Sequence, residues 1–388
     1  MESRVAAAPC PKRGRGPRSL PPAVGSAIRF ALAGCAAASC LLAGCSQVEF
    51  YWQGIAGQTD LMARAKPIAD VIATTPDPVL KARLVRAQAI RAFASRALFL
   101  PDNRSYTNYA DLGRPFAVWN VFAAPELSLS PRQWCFPVAG CVAYRGYFAE
   151  GDAQAEAGRL AGAGDDVHLS GVPAYSTLGY FDDPVLSTFI RYREVELARL
   201  IFHELAHQVV YAKDDTSFNE SFATAVEEEG IVRWLAAEGR NRDPAEAAEL
   251  AAEAARVQRL RASFRALIAA TRDHLATLYA SAAGDDEKRA GKAAAFAAMR
   301  AEYEGQKAAT AGVTAFDRWF AGGANNAGVV AAGLYADRVP QFTALLAAEN
   351  GDLVRFYARV ENLAALPRTE REAALMAVRR QWTKPLAR

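Results

Sequence analysis

The sequence has little net charge and no excess of either sign in most of its length. Its 388 residues include 45 Lys and Arg against 42 Asp and Glu, a formal net charge of +3. Residues 1–44 hold six of the basic residues against one acid, so this segment carries +5 and the remaining chain carries −2. Because the rest of the chain has no clustered positive charge, a nucleic-acid partner is excluded. A composition that is 52% hydrophobic and 22% charged excludes a disordered chain.

The sequence also lacks a long hydrophobic run at its start. The uncharged apolar run that follows the basic segment, Phe30 to Gly44, is 15 residues long, shorter than the roughly 20 residues that span a bilayer. A basic segment followed by such a run is typical of a secretory signal. The run ends in Leu-Ala-Gly-Cys, which resembles the lipobox of bacterial lipoproteins. The resemblance implies removal of residues 1–44 and a lipid on Cys45, and Gln47 favours the periplasmic face of the outer membrane.

Alternatives to this processing remain open. A second Leu-Ala-Gly-Cys ends at Cys35, but it leaves too short an apolar region after Arg29. A plain signal peptide or an uncleaved anchor is the other alternative.

Cysteines are few once the predicted signal and lipid attachment are set apart. Only Cys135 and Cys141 remain, and an even pair in an exported protein is normally a disulfide. Pro137 and Gly140 lie between them, so a tight turn could bring the two sulfurs together. Two buried thiols are the alternative, whereas a metal site would need a second pair or a nearby histidine.

Helical periodicity dominates both ends of the mature chain. Apolar residues recur at intervals of three and four between Ile55 and Leu100, with a break at Thr74 to Pro78. After Asp183 the pattern is helical almost to the end, and Pro244 opens a helix that runs through about Ala280. No repeat of 20 to 50 residues is evident.

The middle of the chain favours short strands separated by glycine and proline. One helix near Asp152 to Leu160 interrupts them. The sequence therefore predicts an α+β protein with a helical majority. It predicts a single domain over 45–388, with helices in 45–116, a sheet and further helices in 117–240, and helices in 241–388. The predicted strands are Ala117–Ala123, Trp134–Pro137, Val142–Phe148, Val167–Leu169 and Ala174–Leu178.

Two of the four histidines lie in one uninterrupted helical segment, Glu196 to Tyr211. His203 and His207 are one turn apart on one helix face, so both imidazoles can bind the same tetrahedral Zn²⁺. Glu204 is offset by about 100° around the helix and can address a metal-bound water rather than the metal.

A third ligand is predicted from the next segment. A charged turn leads into Thr216-Ser217, a helix start, and Glu220 comes 13 residues after His207 in the first turn of this new helix. Two helices joined by so short a connection pack as a hairpin, which can bring Glu220 to the histidine face. Two histidines and one glutamate leave the fourth position of a single zinc ion to water, as in catalytic sites.

These motifs carry a family resemblance. His-Glu-Leu-Ala-His, followed by Asn-Glu-Ser-Phe-Ala, resembles the gluzincin metallopeptidases. The sequence segments 134–137, 140–148 and 174–184 resemble those of a bacterial predicted-aminopeptidase lipoprotein family. This resemblance extends over most of residues 45–365. The resemblance implies a zincin-like fold with a small sheet beside the HExxH helix, zinc ligands His203, His207 and Glu220, and Glu204 as general base.

The sequence departs from the family pattern in two places. The 12 residues between His207 and Glu220 are fewer than in well-known gluzincin aminopeptidases. Thr224 stands where thermolysin-like enzymes have an aspartate. Ligand histidines usually need an acceptor behind them, and Asn219 or Glu227 is the candidate here.

The resemblance implies peptide-bond hydrolysis, in which Glu204 activates a zinc-bound water and returns the proton to the leaving nitrogen. An aminopeptidase acting on peptides or proteins is expected. An endopeptidase acting on envelope proteins and a non-catalytic lipoprotein on a peptidase fold are the alternatives. The retention of Glu204 favours an enzyme.

Two further features are predicted around the site. The oxyanion needs a hydrogen-bond donor, and the candidates are Tyr175, Tyr180 and Tyr335. We favour Tyr335, because a helical C-terminal part usually closes over such a cleft. Val172 to Gly179 is the candidate edge strand for the substrate backbone.

Overall fold

The computed structural model describes residues 48–136, 140–309, 316–335 and 337–382. The predicted signal and the lipid-bearing Cys45 lie outside the described residues and stay predictions. The described residues from Ala56 onward belong to one compact unit. None of the helices in the described ranges is long and apolar enough to cross a membrane.

Helices make up most of the described chain, so the predicted helical majority is confirmed. The first three confirm the pattern over 55–100, and the break at Thr74 to Pro78 separates the second from the third. The long helix predicted from Pro244 to about Ala280 forms with these bounds. The helices are α1 (48–64), α2 (Ile68–Thr74), α3 (Pro78–Leu98), α4 (Glu150–Gly162), α5 (Glu194–Ala206), α6 (Thr216–Asn241), α7 (Pro244–Ala280), α8 (Asp285–Ala309), α9 (Asp317–Ala321), α10 (Asn326–Leu334), α11 (Val339–Ala348), α12 (Leu353–Ala364) and α13 (Arg368–Trp382).

The strands of the described residues form three small sheets. The largest has the order β6-β3-β7 and is antiparallel throughout, with Trp119 opposite Gly171 on one side and Tyr147 on the other. A second has the order β1-β2-β8, and β4 and β5 form a hairpin. The strands are β1 (Lys66–Pro67), β2 (Asn108–Ala110), β3 (Val118–Pro125), β4 (Trp134–Phe136), β5 (Gly140–Val142), β6 (Arg145–Tyr147), β7 (Asp165–Val172) and β8 (Val185–Leu186).

The histidine-bearing helix α5 packs chiefly against other helices, namely α6, α3 and α7. Helices α4 and α10 cover the β6-β3-β7 sheet instead. This differs from the expected sheet beside the HExxH helix. The reason lies in α5 itself, which is apolar and buried on most sides and forms part of the main core.

The strand predicted over Ala174–Leu178, and with it the candidate edge strand Val172 to Gly179, is wrong. Strand β7 ends at Val172, and the chain then turns. The Asp183 carboxylate accepts hydrogen bonds from the backbone N–H (2.9 Å) and hydroxyl (2.8 Å) of Thr177. Leu178 has a left-handed φ of 55°. Hydrogen bonds from side chains to the backbone compete with strand pairing, and in this segment they stabilise a turn instead of a strand.

The predicted disulfide between Cys135 and Cys141 is confirmed. The two cysteines lie opposite each other in the β4-β5 hairpin. The backbone N–H of Cys141 donates to Asp214 Oδ1 at 2.6 Å. Gly140 has φ 75°, and a Cβ there would lie 2.3 Å from the same oxygen, so this close approach requires glycine. The hairpin is thereby fixed to the loop that precedes α6.

Replacing Asp215 with alanine is expected to destabilise the protein by about 3–5 kcal/mol, because it leaves buried charge without a partner. The Asp215 carboxylate is buried and accepts a hydrogen bond from Phe218 N at 3.2 Å, which caps α6. It also accepts hydrogen bonds from Arg338 Nη1 at 3.0 Å and lies 3.6 Å from Nε of the buried Arg371. Urea denaturation measures the free energy of unfolding.

The matched control is Asp243→Ala at the start of α7. Asp243 caps its helix through Ala245 N at 2.9 Å and is exposed. Loss of an exposed cap costs about 1 kcal/mol. Equal losses for the two variants would contradict the role given to the buried ion pairs.

Candidate metal centre

Helix α5 brings two histidines together at its C-terminal end. His203 lies in its last turn and His207 is the capping residue. Their Nε2 atoms are 3.2 Å apart, and the ring planes meet at 83°. Both rings are largely removed from water, with 12% and 8% of the side chains exposed. Two acceptor-capable nitrogens held this close need a shared proton or a shared cation between them.

Helix α6 brings Glu220 to the same point. The turn between the helices is tied by Asn219, whose side-chain amide accepts from Ala212 N at 2.7 Å and donates to Ala212 O at 2.9 Å. Glu220 Oε2 then lies 3.2 Å from His203 Nε2 and 3.6 Å from His207 Nε2. The hairpin therefore delivers a carboxylate to both imidazoles.

The spacing of these three atoms fits a tetrahedral ion. Their separations are 3.2, 3.2 and 3.6 Å. Ligand atoms about 2.0–2.1 Å from a tetrahedral zinc ion lie about 3.3–3.4 Å from one another. Within the part of the chain that the structure describes, this is the one cluster of histidine, cysteine and acidic residues that could hold a metal ion.

The electrostatics of the cluster favour a bound cation. Burial disfavours the charged form of His203, but hydrogen bonds with Glu220 and Glu227 outweigh burial and raise the pKa of the imidazole. Burial would also raise the pKa of Glu220, yet the charge of His207 and bonds with both histidines lower it. A carboxylate that stays ionised in a buried position attracts positive charge.

A second carboxylate lies behind His203. Glu227 is 3% exposed, and its Oε2 is 3.1 Å from His203 Nδ1. Because an ionised carboxylate only accepts hydrogen bonds, Nδ1 carries the proton that faces Glu227, and Nε2 is the nitrogen directed at Glu220 and His207. Of the two candidates for this position, Glu227 reaches the ring, whereas Asn219 is committed to the backbone of Ala212.

Glu204 stands beside the cluster with its carboxylate uncommitted. Among the described residues, no hydrogen bond or ion pair engages this carboxylate. Burial raises its pKa, while the neighbouring His203 and His207 lower it in part. A partly buried carboxylate without a fixed partner is free to accept and return a proton.

Residues 49–375 match a protein family described as "Putative aminopeptidase". The chain belongs to this family. The match covers the whole cluster of His203, Glu204, His207 and Glu220, and it supports the predicted resemblance at this level. No curated protein matches the chain, and no solved structure does.

Of the three tyrosines predicted near the site of this family member, Tyr335 comes nearest to the cluster. It ends α10, and its ring centroid is 6.4 Å from that of His203 at an angle of 29°. The charge of Glu220 and burial raise its pKa. Tyr175 packs edge-on against Phe148, with ring centroids 5.3 Å apart. Tyr180 is 73% exposed, and no contact to the cluster is seen for it among the described residues.

Two tyrosines that the sequence did not single out also feel the charge of the site. Burial raises the pKa of Tyr144, and the negative charges of Glu220 and Glu204 add to the effect. Burial likewise raises the pKa of Tyr106, to which Glu204 and Asp183 contribute. Tyr144 lies in segment 140–148, which carries the family resemblance, and this is the sequence signal that could have identified it as a site residue. Tyr106 had none.

Proposed function

We propose that this protein is a zinc-dependent aminopeptidase. The observation that carries the proposal is the convergence of His203 Nε2, His207 Nε2 and Glu220 Oε2 beside an uncommitted Glu204 carboxylate, in a chain of an aminopeptidase family. A structural zinc site would have no use for that free carboxylate.

The donor set itself favours zinc. Two imidazole nitrogens with one carboxylate form the set typical of catalytic zinc, whereas calcium and magnesium prefer oxygen ligands alone. Three protein ligands leave one position open to water or substrate. When bound by His203, His207 and Glu220, zinc lowers the pKa of water and polarises a carbonyl group.

Glu204 is assigned the proton transfers. Its carboxylate is one residue from His203 and about 100° around the helix, so it faces the same cleft without joining the ligand set. Its oxygens accept a proton from the attacking water molecule and later donate it to the nitrogen of the leaving amine. Partial burial supports this role because it strengthens the carboxylate as a base.

Tyr335 is assigned the stabilisation of the oxyanion. A phenol is protonated at neutral pH, so its O–H can donate a hydrogen bond to developing negative charge. The position of its ring beside His203 supports the assignment.

The proposal is tested by metal analysis together with peptide profiling. The purified wild-type protein should contain about one zinc ion per chain, and His203→Ala should lose it. A mixed peptide library should yield single residues released from the amino ends. Wild-type protein without zinc, or with zinc and no cleavage, would contradict the proposal, and internal cuts would indicate the endopeptidase alternative.

A further inference from the structure

A layer of ion pairs around the buried Glu227 lies behind the candidate metal centre. Glu227 is contacted by Arg199 of α5 and Arg261 of α7, whose guanidinium nitrogens lie 3.2 Å (Nη1) and 3.3 Å (Nη2) from Glu227 Oε1. Arg199 is 3% exposed and also donates to Gln258 Oε1 at 2.8 Å. Both arginines approach Glu196 as well, at 3.8 and 3.7 Å.

The two oxygens of Glu227 have separate partners. Oε1 faces both guanidinium groups, whereas Oε2 lies 3.1 Å from His203 Nδ1. A carboxylate held at one oxygen by two arginines cannot rotate without losing those bonds, so its other oxygen stays aimed at the imidazole. Without the arginines, a buried carboxylate would face one neutral histidine, which is an unfavourable arrangement in a low-dielectric environment.

We propose that Arg199 and Arg261 are positioning residues that set the metal affinity of His203 through Glu227. The proposal rests on the proposed function, since it assumes that the histidine binds zinc. The fixed Glu227 keeps the proton of His203 on Nδ1, so that Nε2 presents its lone pair to the ion. Because Arg261 comes from α7, this long helix becomes part of the site although it supplies no ligand.

Arg261 is the better residue to vary, and α7 offers a matched control. Arg261 is 33% exposed, so its loss should leave the fold intact. Arg265 lies one turn further along α7 with 26% exposure, and its Nη1 lies 2.7 Å from Glu228, which contacts no histidine among the described residues. The pair of variants Arg261→Met and Arg265→Met removes the same charge from neighbouring positions.

The experiment measures zinc dissociation constants of the full-length protein by competition with a chromogenic chelator. Changes behind a metal-bound histidine typically weaken affinity 10- to 100-fold. Arg261 contacts Glu227 rather than the histidine itself, so for Arg261→Met we expect a loss of about 10-fold in zinc affinity, at the lower end of this range. Arg265→Met should stay within about 2-fold of wild type, and Arg261→Lys should recover part of the loss because it keeps the charge.

The outcomes separate this inference from the proposed function. Equal affinities of Arg261→Met and Arg265→Met, with zinc bound by the wild type, would overturn the inference alone. Wild-type protein that binds no zinc would overturn both. Circular dichroism of the metal-free variants checks folding. If Arg261→Met does not fold, Arg261→Lys and Arg265→Lys are compared instead, and weaker zinc binding by Arg261→Lys alone would support the inference whereas equal binding would overturn it.

Discussion

Glu204→Gln is expected to lower the turnover number about 10³-fold while leaving the zinc content unchanged. General acid–base catalysis contributes typically about 10²–10⁴-fold, and Glu204 is assigned both proton transfers. Glutamine has nearly the same shape but cannot accept a proton at neutral pH. Since this side chain makes no hydrogen bond to another described residue, the change should disturb neither the ligands nor the fold.

The measurement uses a peptide that the wild-type protein cleaves in the library experiment. Its turnover number and the zinc content are determined on the same protein sample. Glu229→Gln is the control, because Glu229 is a partly exposed residue of α6 that pairs with Arg233 at 2.8 Å and contacts no residue of the cluster among the described residues. It should keep both activity and zinc. Undiminished hydrolysis by Glu204→Gln would exclude Glu204 as the base, and simultaneous loss of zinc would point to a structural role.

The ligand set was predictable because its geometry is local. His203 and His207 are one helical turn apart, so α5 needs only to be a helix to place both rings on one face. Glu220 needed only a short turn and a helix start, and Asp215 and Thr216 signal that start. All three side chains come from one helical hairpin, α5 and α6, whose turn is tied by the bonds between Asn219 and Ala212.

The acceptor behind His203 was narrowed to two candidates but not decided. Helical period separates the two: Glu227 is seven residues after Glu220, close to two turns, and therefore shares its face. Asn219 is offset by about 100° from Glu220 and faces the turn, where it binds Ala212. The period could have been used at the sequence level, and it favours Glu227.

Other parts of the site depend on contacts between segments far apart in sequence. The loop after β7 resembles a strand in its residues, but the Asp183–Thr177 bonds fold it into a turn. Arg261 is 34 residues from Glu227, and it is one of five arginines in the long helix α7, with nothing in its local sequence to set it apart from the others. Packing of α7 on α6 brings the two together, and no local pattern encodes that packing.

Glu220→Ala is expected to weaken zinc binding on the order of 100-fold, about 2.8 kcal/mol. Apparent zinc binding free energies of about 10–16 kcal/mol are shared among four protein ligands in structural sites, so one ligand accounts for about 3 kcal/mol. Glu220 is also the ligand that brings negative charge, and its removal leaves only the two imidazoles in the cluster. Equilibrium dialysis against buffered zinc measures the affinity.

Glu228→Ala controls for the loss of a carboxylate from the same helix. Glu228 lies eight residues after Glu220 on α6, and its Oε1 accepts hydrogen bonds from Arg265 and Gln258 rather than from a histidine. The zinc affinity of Glu228→Ala should stay within about 2-fold of wild type, because ion pairs among partly exposed groups contribute little to stability. If both variants lost zinc equally, the loss would reflect a disturbed α6. If Glu220→Ala kept wild-type affinity, Glu220 would not be a zinc ligand. The role given to the α5–α6 hairpin, which brings this carboxylate to the two histidines, would then be wrong.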